Sequence, residues 1–311
     1  MVRNENGNSV PVLPNFFIVG TGKAGTTSLY HYLRQHPQIY MSSIKEPCYF
    51  SPEVREENLA EAHLRHIRRR PRGWLVADWE NYVQLFRDVK TETAIGEASV
   101  VYLWSEMAAA NIAARIPDAK IIMILRDPAE RAFSQYLHQM TGGFASSTFR
   151  EHIEMCMRNR DRRISVYYPL LEVGLYYEQV QRYLERFPRH NIRIYWYEEA
   201  WQQPESLFAD LFQLLNVDSA FRPDTSRKSL EGRAPRFPNF NRFAKYFDIA
   251  HQLTEIMPDG LRLPIRGFLF RDRRVLMMDP KDRQYLIDYY REDIAKLAAL
   301  LDRDLGAWLT R

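Results

Sequence analysis

A glycine-rich loop between two regular segments is the part of this sequence that most clearly suggests chemistry. Residues 16–33 read FFIVGTGKAGTTSLYHYL, where a short apolar run ends at Gly20 and a helical pattern follows Gly25. The backbone N–H groups of such a loop, together with the positive end of the next helix, form a cradle for an anion. Lys23 adds a charge and Thr26 a hydroxyl. The stretch predicts a phosphate-binding loop; the alternative is a glycine-rich turn with a surface lysine.

The position of the lysine distinguishes this loop from the loop that binds nucleotide triphosphates. That loop has the pattern G-x-x-x-x-G-K-[ST], with the lysine directly after the second glycine. Here Gly20 and Gly25 have the right spacing, but Thr26 follows, and the lysine is Lys23 in the middle of the loop. A lysine at this place reaches the bridging oxygen between one phosphate and a leaving group. The pattern therefore argues against an ATPase or a GTPase.

A second candidate phosphate site follows another apolar run. In residues 121–136, IIMILRDPAERAFSQY, Arg126 stands at the end of a predicted buried strand, and Ser134 follows eight residues later. Eight residues are about two helical turns, so both side chains can meet one phosphate. The alternative is that Arg126 pairs locally with Asp127 and that Ser134 only fills the helix surface.

Together these segments resemble the PAPS-dependent sulfotransferases, where PAPS is 3′-phosphoadenosine 5′-phosphosulfate. The resemblance is to the branch of heparan-sulfate and other carbohydrate sulfotransferases and their bacterial relatives. Residues 19–50, VGTGKAGTTSLYHYLRQHPQIYMSSIKEPCYF, are similar to the family's 5′-phosphosulfate loop and the segment after it. ILRDPAERAFSQY, residues 124–136, is similar to its 3′-phosphate segment, and residues 174–199 to a third recurring block. The likeness covers residues 15–215.

The resemblance implies transfer of a sulfuryl group from PAPS to a hydroxyl or amine, with release of the product PAP and without a metal. Lys23 would stabilise the bridging oxygen as its bond to sulfur breaks, and Arg126 would bind the 3′-phosphate with its planar fork of donors. A late basic loop, SRKSLEGRAPRF, would close over the 3′-phosphate and the adenine. The predicted donor-binding set comprises Lys23, Ala24, Gly25, Thr26, Thr27, Ser28, Arg126, Ser134, Arg227, Lys228 and Arg233.

The acceptor must lose a proton when it attacks sulfur, so the site needs a general base. Glu46, in SIKEPCYF, is the first candidate, because the resemblance implies a glutamate in a K-E-P context. Its alternative role is an ion pair, with Lys45 as the nearest cation. Glu97, in IGEAS at the end of a predicted strand, is the second candidate.

Strands that alternate with helices predict an α/β protein: a P-loop-like three-layer fold with a central, mostly parallel sheet flanked by helices. Residues 1–14 read as a flexible N-terminal arm and residues 15–311 as a single sulfotransferase domain. The predicted strands cover residues 16–20, 39–41, 93–99, 119–127 and 190–199. The predicted helices include residues 103–115, 204–215 and 281–303, and residues 218–280 read as loops with short helices.

Composition limits the other classes of function. The two cysteines, Cys48 and Cys156, exclude a disulfide framework and a cysteine-based zinc cluster, and no metal-ligand spacing such as H-E-x-x-H occurs. The net charge of +4 fits an anion site but is too small to predict a nucleic-acid partner. The polar start and the lack of a long apolar run predict no membrane span and a cytoplasmic location.

The expected partner is a saccharide or another small-molecule acceptor, and the sequence makes no prediction of the oligomeric state. Two other functions stay open at this point. One is a nucleotide kinase-like phosphotransferase, which the missing lysine after Gly25 disfavours. The other is a catalytically silent PAP-binding protein, which the joint presence of Lys23, Glu46, Arg126 and Ser134 disfavours.

Overall fold

The structure, a computed structural model, describes residues 2–3, 9–54, 76–158, 169–226, 233–246, 269–272 and 276–310. The predicted site residues Arg227 and Lys228 lie outside the described residues. For Arg233 only the backbone is described.

The described residues form nine strands and eleven α-helices. The strands are β1 (Val2–Arg3), β2 (Ser9–Val10), β3 (Phe16–Gly20), β4 (Ile39–Met41), β5 (Ala94–Ala98), β6 (Lys120–Leu125), β7 (Ile192–Trp196), β8 (Arg233–Pro235) and β9 (Phe270–Asp272). The helices are α1 (Thr26–Leu33), α2 (Trp79–Gln84), α3 (Val101–Trp104), α4 (Ala108–Arg115), α5 (Pro128–Gly142), α6 (Phe149–Arg158), α7 (Tyr176–Leu184), α8 (Tyr197–Gln202), α9 (Pro204–Leu215), α10 (Pro238–Tyr246) and α11 (Pro280–Leu301).

The centre of the protein is a parallel sheet. Within the described residues it has five strands in the order β4-β5-β3-β6-β7, and every neighbouring pair is parallel. The inner strand β3 is buried along its whole length, as its continuous apolar run FFIVG predicts. Because the strands are parallel, their carboxyl ends lie at one edge of the sheet, where ligands bind in such folds. The loop after β3 therefore begins between the ends of β5 and β6.

Helices cover both faces of the sheet. Successive residues of β3 point to opposite faces, so Phe17 and Val19 pack into one apolar cluster and Phe16 and Ile18 into another. The first cluster includes side chains of α4, α5 and α11, and the second includes side chains of α1 and α9. The predicted three-layer α/β fold with a parallel central sheet is thus confirmed.

Two predicted elements end differently in the structure. The predicted helix over residues 103–115 is two helices, because the Ser105 hydroxyl accepts the Ala108 N–H at 2.9 Å and starts α4 anew. The predicted strand over residues 190–199 stops at Trp196. Glu198 and Glu199 lie in the first turn of α8, where acidic side chains favour a helix N-terminus.

The late part of the chain adds a small strand pair beside α5. Strands β8 and β9 pair antiparallel, an element that the sequence did not predict in residues 218–280. Helix α10 follows β8 in the chain. Its Asn241 donates a hydrogen bond from Nδ2 to the Met140 carbonyl oxygen of α5 at 2.8 Å. Among the residues that the structure describes, no helix is both long and apolar enough to cross a bilayer.

Candidate active site

The loop after β3 has the backbone of an anion cradle. Lys23 and Gly25 both adopt left-handed conformations, with φ of 73° and 80°. Residues that alternate with left-handed ones in this way turn successive N–H groups toward one point. Helix α1 begins at Thr26 with no side-chain cap and no acidic residue in its first turn. The N–H groups of that turn and the helix dipole therefore favour a bound anion.

The tryptophan Trp201 of α8 packs directly against this loop. Its indole nitrogen lies 3.4 Å from the carbonyl oxygen of Ala24, which is fully buried. A Cβ atom added at Gly25 would lie 2.5 Å from the same nitrogen. Glycine is therefore required at position 25 for two reasons: the backbone has a positive φ, and the indole leaves no room for a side chain. The indole holds one wall of the cradle in place.

The hydroxyl residues at the start of α1 lie along the cradle. Thr26 is buried, whereas Thr27 and Ser28 are half-buried. Lys23 is also half-buried. The predicted loop residues are thus brought together at the carboxyl edge of the sheet.

Arg126 joins the second predicted segment to this loop. It lies at the end of β6, and its Nη1 donates to the Lys23 carbonyl oxygen at 3.0 Å. Its guanidinium carbon lies 4.6 Å from the ring centre of Tyr197, and only 17% of its side chain is exposed. Its Nε is buried with no hydrogen-bond acceptor within the described part of the chain. A buried donor without an acceptor is unfavourable unless a ligand or a water molecule accepts from it.

Ser134 lies half-buried on α5, about two turns beyond Arg126. Glu130 lies between them on the same helix face, 3.9 Å from Nη2 of Arg126. Arg283 of α11 contacts two acidic side chains at this helix start, Asp127 at 2.7 Å and Glu130 at 3.3 Å. This second cation offsets the acidic charge next to Arg126.

Glu46 is held at the end of β5, beside the loop. Its backbone N–H donates to the Ala98 carbonyl oxygen, and its Oε2 accepts the Val100 N–H, both at 2.9 Å. Its Oε1 forms an ion pair with Lys45, the alternative role that the sequence left open. The Ser99 N–H donates to the Ile18 carbonyl oxygen of β3 at 3.2 Å, which ties the ends of β5 and β3 together. The carboxylate is therefore fixed at the end of β5, the neighbour of the strand that leads into the cradle.

Glu97 lies deeper and has no exposed surface. Its Oε1 accepts the Ser99 hydroxyl at 2.6 Å, and its Oε2 accepts the hydroxyls of Tyr102 at 2.8 Å and Tyr82 at 3.0 Å. Burial raises the pKa of Glu97 to about 7, and the hydrogen bonds partly oppose this shift. Because the side chain is enclosed, an acceptor molecule does not reach it in this conformation.

Comparison with known proteins agrees with this arrangement. A family model described as the sulfotransferase family matches residues 14–220. The chain belongs to the sulfotransferase family. A crystal structure of a sulfotransferase from Alicyclobacillus acidocaldarius has the same fold, with a TM-score of 0.75 and 30% identity over 96% of this chain and 100% of that chain.

Curated relatives are longer than this sulfotransferase chain. The membrane-associated sulfotransferase kil1 of Dictyostelium discoideum is 24% identical over 94% of this chain and 66% of that protein. The human bifunctional heparan sulfate N-deacetylase/N-sulfotransferase 3 is 29% identical over 96% of this chain and 31% of that protein. Rat carbohydrate sulfotransferase 15 is 26% identical over 96% of this chain and 55% of that protein. The chain thus spans less than two thirds of the length of these relatives.

The described residues show where the late basic loop begins. The Thr225 carbonyl oxygen accepts the Tyr32 hydroxyl at 3.3 Å, and the Asp224 N–H donates to Gln35 at 2.7 Å. Both partners belong to α1 or follow it directly. Residues 224–225 of the sulfotransferase chain therefore contact α1 and the residues that follow it, while Arg233 begins β8 beside α5.

Two residues of this sulfotransferase site, Trp201 and Arg283, were not found from the sequence. Trp201 belongs to α8, whose start lies inside a run that reads as a strand. Arg283 lies more than a hundred residues beyond its partner Asp127, and no local pattern connects them. Among the described residues, no group of three or more His, Cys, Asp or Glu side chains is arranged to bind a metal ion.

Proposed function

We propose that this protein transfers a sulfuryl group from PAPS to a hydroxyl or amine of an acceptor. The observation that carries the proposal is the hydrogen bond from Arg126 to the Lys23 carbonyl oxygen. It joins a phosphate cradle to a buried guanidinium. The cradle suits the 5′-phosphate of PAPS, and the guanidinium suits its 3′-phosphate. Membership of the sulfotransferase family, from the match over residues 14–220, supports the same reaction.

The donor PAPS is bound by the loop between β3 and α1 and by the segment that joins β6 to α5. The N–H groups of the loop and of the first turn of α1 hold the 5′-phosphate, and the hydroxyls of Thr26, Thr27 and Ser28 add donors. Arg126 and Ser134 hold the 3′-phosphate. The Nε–H of Arg126, which has no acceptor among the described residues, supplies one donor. The basic residues Arg227, Lys228 and Arg233 stay predicted contacts of the 3′-phosphate and the adenine.

Transfer requires charge stabilisation on one side of sulfur and proton removal on the other. The acceptor oxygen or nitrogen forms a bond to sulfur, and the bond from sulfur to the bridging oxygen of the 5′-phosphate breaks. Lys23 stabilises the charge that develops on that oxygen. Glu46 takes the proton of the acceptor. Lys45 compensates the Glu46 carboxylate until the acceptor arrives, and it then contacts the acceptor or the sulfonate.

The acceptor in this proposal is a saccharide or a glycosylated or other small natural product. Two relatives are named for action on heparan sulfate and on carbohydrates, and this chain matches only part of each. Glu46 is preferred to Glu97 as the base, because Glu97 is fully enclosed. The cytoplasmic location stays a prediction.

Calorimetric binding of PAP, with ATP and Mg²⁺ in parallel, tests the donor site. We expect tight PAP binding that EDTA does not change, and weak binding of ATP. Labelled PAPS with a panel of hydroxyl and amine saccharides then tests transfer and the choice between O- and N-sulfation. Preference for Mg²⁺–ATP would overturn the proposal and favour the phosphotransferase. PAP binding without transfer to any acceptor would favour a silent PAP-binding protein.

A further inference from the structure

The enclosed carboxylate of Glu97 takes no direct part in the proposed reaction, in which Glu46 is the base. Its three hydrogen-bond partners among the described residues are hydroxyls, from Tyr82, Ser99 and Tyr102. An ionised carboxylate accepts hydrogen bonds and donates none, so each hydroxyl proton points toward Glu97. The oxygen lone pairs of these hydroxyls are then free to accept from other groups.

Two of these hydroxyls accept backbone N–H groups from the segment that follows Glu46. The Ser99 hydroxyl oxygen accepts the Cys48 N–H at 3.1 Å, and the Tyr102 hydroxyl oxygen accepts the Phe50 N–H at 3.3 Å. Glu97 therefore orients two hydroxyls, and each of them holds one backbone N–H of residues 48–50. Such chains of hydrogen bonds strengthen one another in a buried site.

The backbone that these bonds hold is in an unfavourable conformation. Glu46 and Cys48 both have positive φ, at 66° and 57°, and neither is a glycine. A non-glycine residue in this region is strained and persists only where the surroundings enforce it. The Cys48 N–H bond to Ser99 is one such constraint, and the bonds of Glu46 to Ala98 and Val100 are others.

We propose that Glu97 is a positioning residue that, through the Ser99 and Tyr102 hydroxyls, keeps Glu46 aimed at the acceptor. This inference rests on the proposed function, because it assigns Glu46 as the base. Glu97 itself touches neither the donor nor the acceptor. It fixes the segment 46–50 against the end of β5, beside the phosphate cradle.

Three variants test the role. Glu97→Gln replaces one hydrogen-bond-accepting oxygen by an NH₂ group. This group is a donor, and it faces a hydroxyl that donates to Glu97 in the wild type, so that hydrogen bond is lost. Ser99→Ala removes the link to the Cys48 N–H and leaves two hydroxyls on Glu97. Tyr290→Phe is the control, because Tyr290 is fully buried and its hydroxyl donates at 3.0 Å to Leu171, away from Glu97. All assays run at about pH 8, above the pKa of about 7 that burial gives Glu97.

The first readout separates catalysis from donor binding. We expect Glu97→Gln and Ser99→Ala to bind PAP within about twofold of wild type and to lose about 10- to 100-fold in kcat, as for a misplaced catalytic group. Tyr290→Phe should keep both values near wild type. A kcat no lower than that of the control, or a parallel loss of PAP affinity, would overturn the positioning role.

The second readout does not need transfer. Hydrogen exchange of the peptide that covers residues 44–50 should be at least about 10-fold faster in Glu97→Gln and Ser99→Ala than in Tyr290→Phe, since the N–H of Cys48 loses its support. Unchanged exchange there overturns the inference. If wild type transfers no sulfuryl group, the proposed function fails instead. If Glu97→Gln does not fold, Ser99→Ala decides both readouts.

Discussion

Arg126 donates a hydrogen bond from Nη1 to the carbonyl oxygen of Lys23 over 3.0 Å, although 103 positions separate the two residues in the chain. The bond crosses from the end of β6 to the loop after the neighbouring strand β3. It fixes the distance between the guanidinium and the phosphate cradle before any ligand binds. A ligand with two anionic groups at a matching separation therefore meets a preorganised site.

The first prediction concerns which phosphate Arg126 recognises. Arg126→Ala should weaken PAP by about 10- to 100-fold, because a hydrogen bond to a charged group contributes about 1.5–3 kcal/mol. Adenosine 5′-phosphosulfate, which lacks the 3′-phosphate, should lose far less affinity. Calorimetry with both ligands measures the difference.

Arg87→Ala is the matched control, because the Arg87 side chain is 70% exposed and lies outside the site. It should change neither affinity. Equal weakening of PAP and adenosine 5′-phosphosulfate by Arg126→Ala would show that Arg126 does not distinguish the 3′-phosphate. Arg126→Lys should behave more like alanine than like arginine, because an ammonium cannot form the planar fork.

The second prediction concerns Lys23. Lys23→Ala should lower kcat at saturating PAPS by roughly 100- to 1000-fold, because it removes a charge that stabilises the transition state more than the bound donor. Initial rates with labelled PAPS measure this loss. Lys90→Ala, at an exposed position in a loop, removes the same charge from the protein and should keep the wild-type rate. A Lys23→Ala protein as fast as this control would remove Lys23 from the reaction.

The third prediction concerns the base. Glu46→Gln keeps the shape of the side chain and can still accept the Val100 N–H, so PAP affinity should stay near wild type. Transfer should fall by about 100- to 10,000-fold, the usual contribution of general base catalysis. Exposed Glu80 provides the control Glu80→Gln, which should transfer normally. Persistent transfer by Glu46→Gln would assign the base to another residue.

The fourth prediction concerns the geometry of the cradle. Gly25→Ala should lower both the thermal midpoint and the affinity for PAP. Alanine at this position must adopt a left-handed backbone conformation, which costs about 1–2 kcal/mol. Its Cβ atom would also lie 2.5 Å from the indole nitrogen of Trp201. The double variant Gly25→Ala, Trp201→Ala removes the contact but not the backbone strain, so we expect partial recovery of the midpoint. Full stability of Gly25→Ala would contradict both arguments.

The sequence predicted the parts of the site that are local in the chain. Arg126 directly follows one apolar strand and Lys23 lies in the loop after another, and parallel strands bring such positions to one edge of the sheet. Trp201 was missed because the run IYWYEE has strand composition, and only the tertiary structure ends the strand at Trp196.

The two glutamates show a different limit of the sequence. Glu46 and Glu97 were both candidates for the base, and only the resemblance of the K-E-P context ranked Glu46 first. The structure separates them, because Tyr82 and Tyr102 enclose Glu97, while Lys45 and the Val100 N–H hold Glu46 beside the cradle. Burial of this kind depends on helix packing from distant parts of the chain.

The last prediction follows from the burial of Glu97. Its pKa is about 7 in the folded protein, against an ordinary value of 4.5. Between these two values the folded protein binds more protons than the unfolded chain, so the free energy of unfolding falls as the pH rises. The contribution of Glu97 is fully present below about pH 4.5 and is lost above about pH 7. Its size is roughly 3 kcal/mol, from the shift in pKa.

Urea denaturation of wild type and Glu97→Gln across this pH range measures the contribution. The stability of wild type relative to the variant should decrease by roughly 3 kcal/mol from about pH 4.5 to about pH 7 and then stay constant. Other titrating groups cancel in the difference, since both proteins share them. Glu80→Gln, at an exposed position, should give a curve parallel to that of wild type. Parallel curves for Glu97→Gln as well would mean that Glu97 keeps an ordinary pKa despite its burial, with the three hydroxyl donors fully compensating the lost hydration.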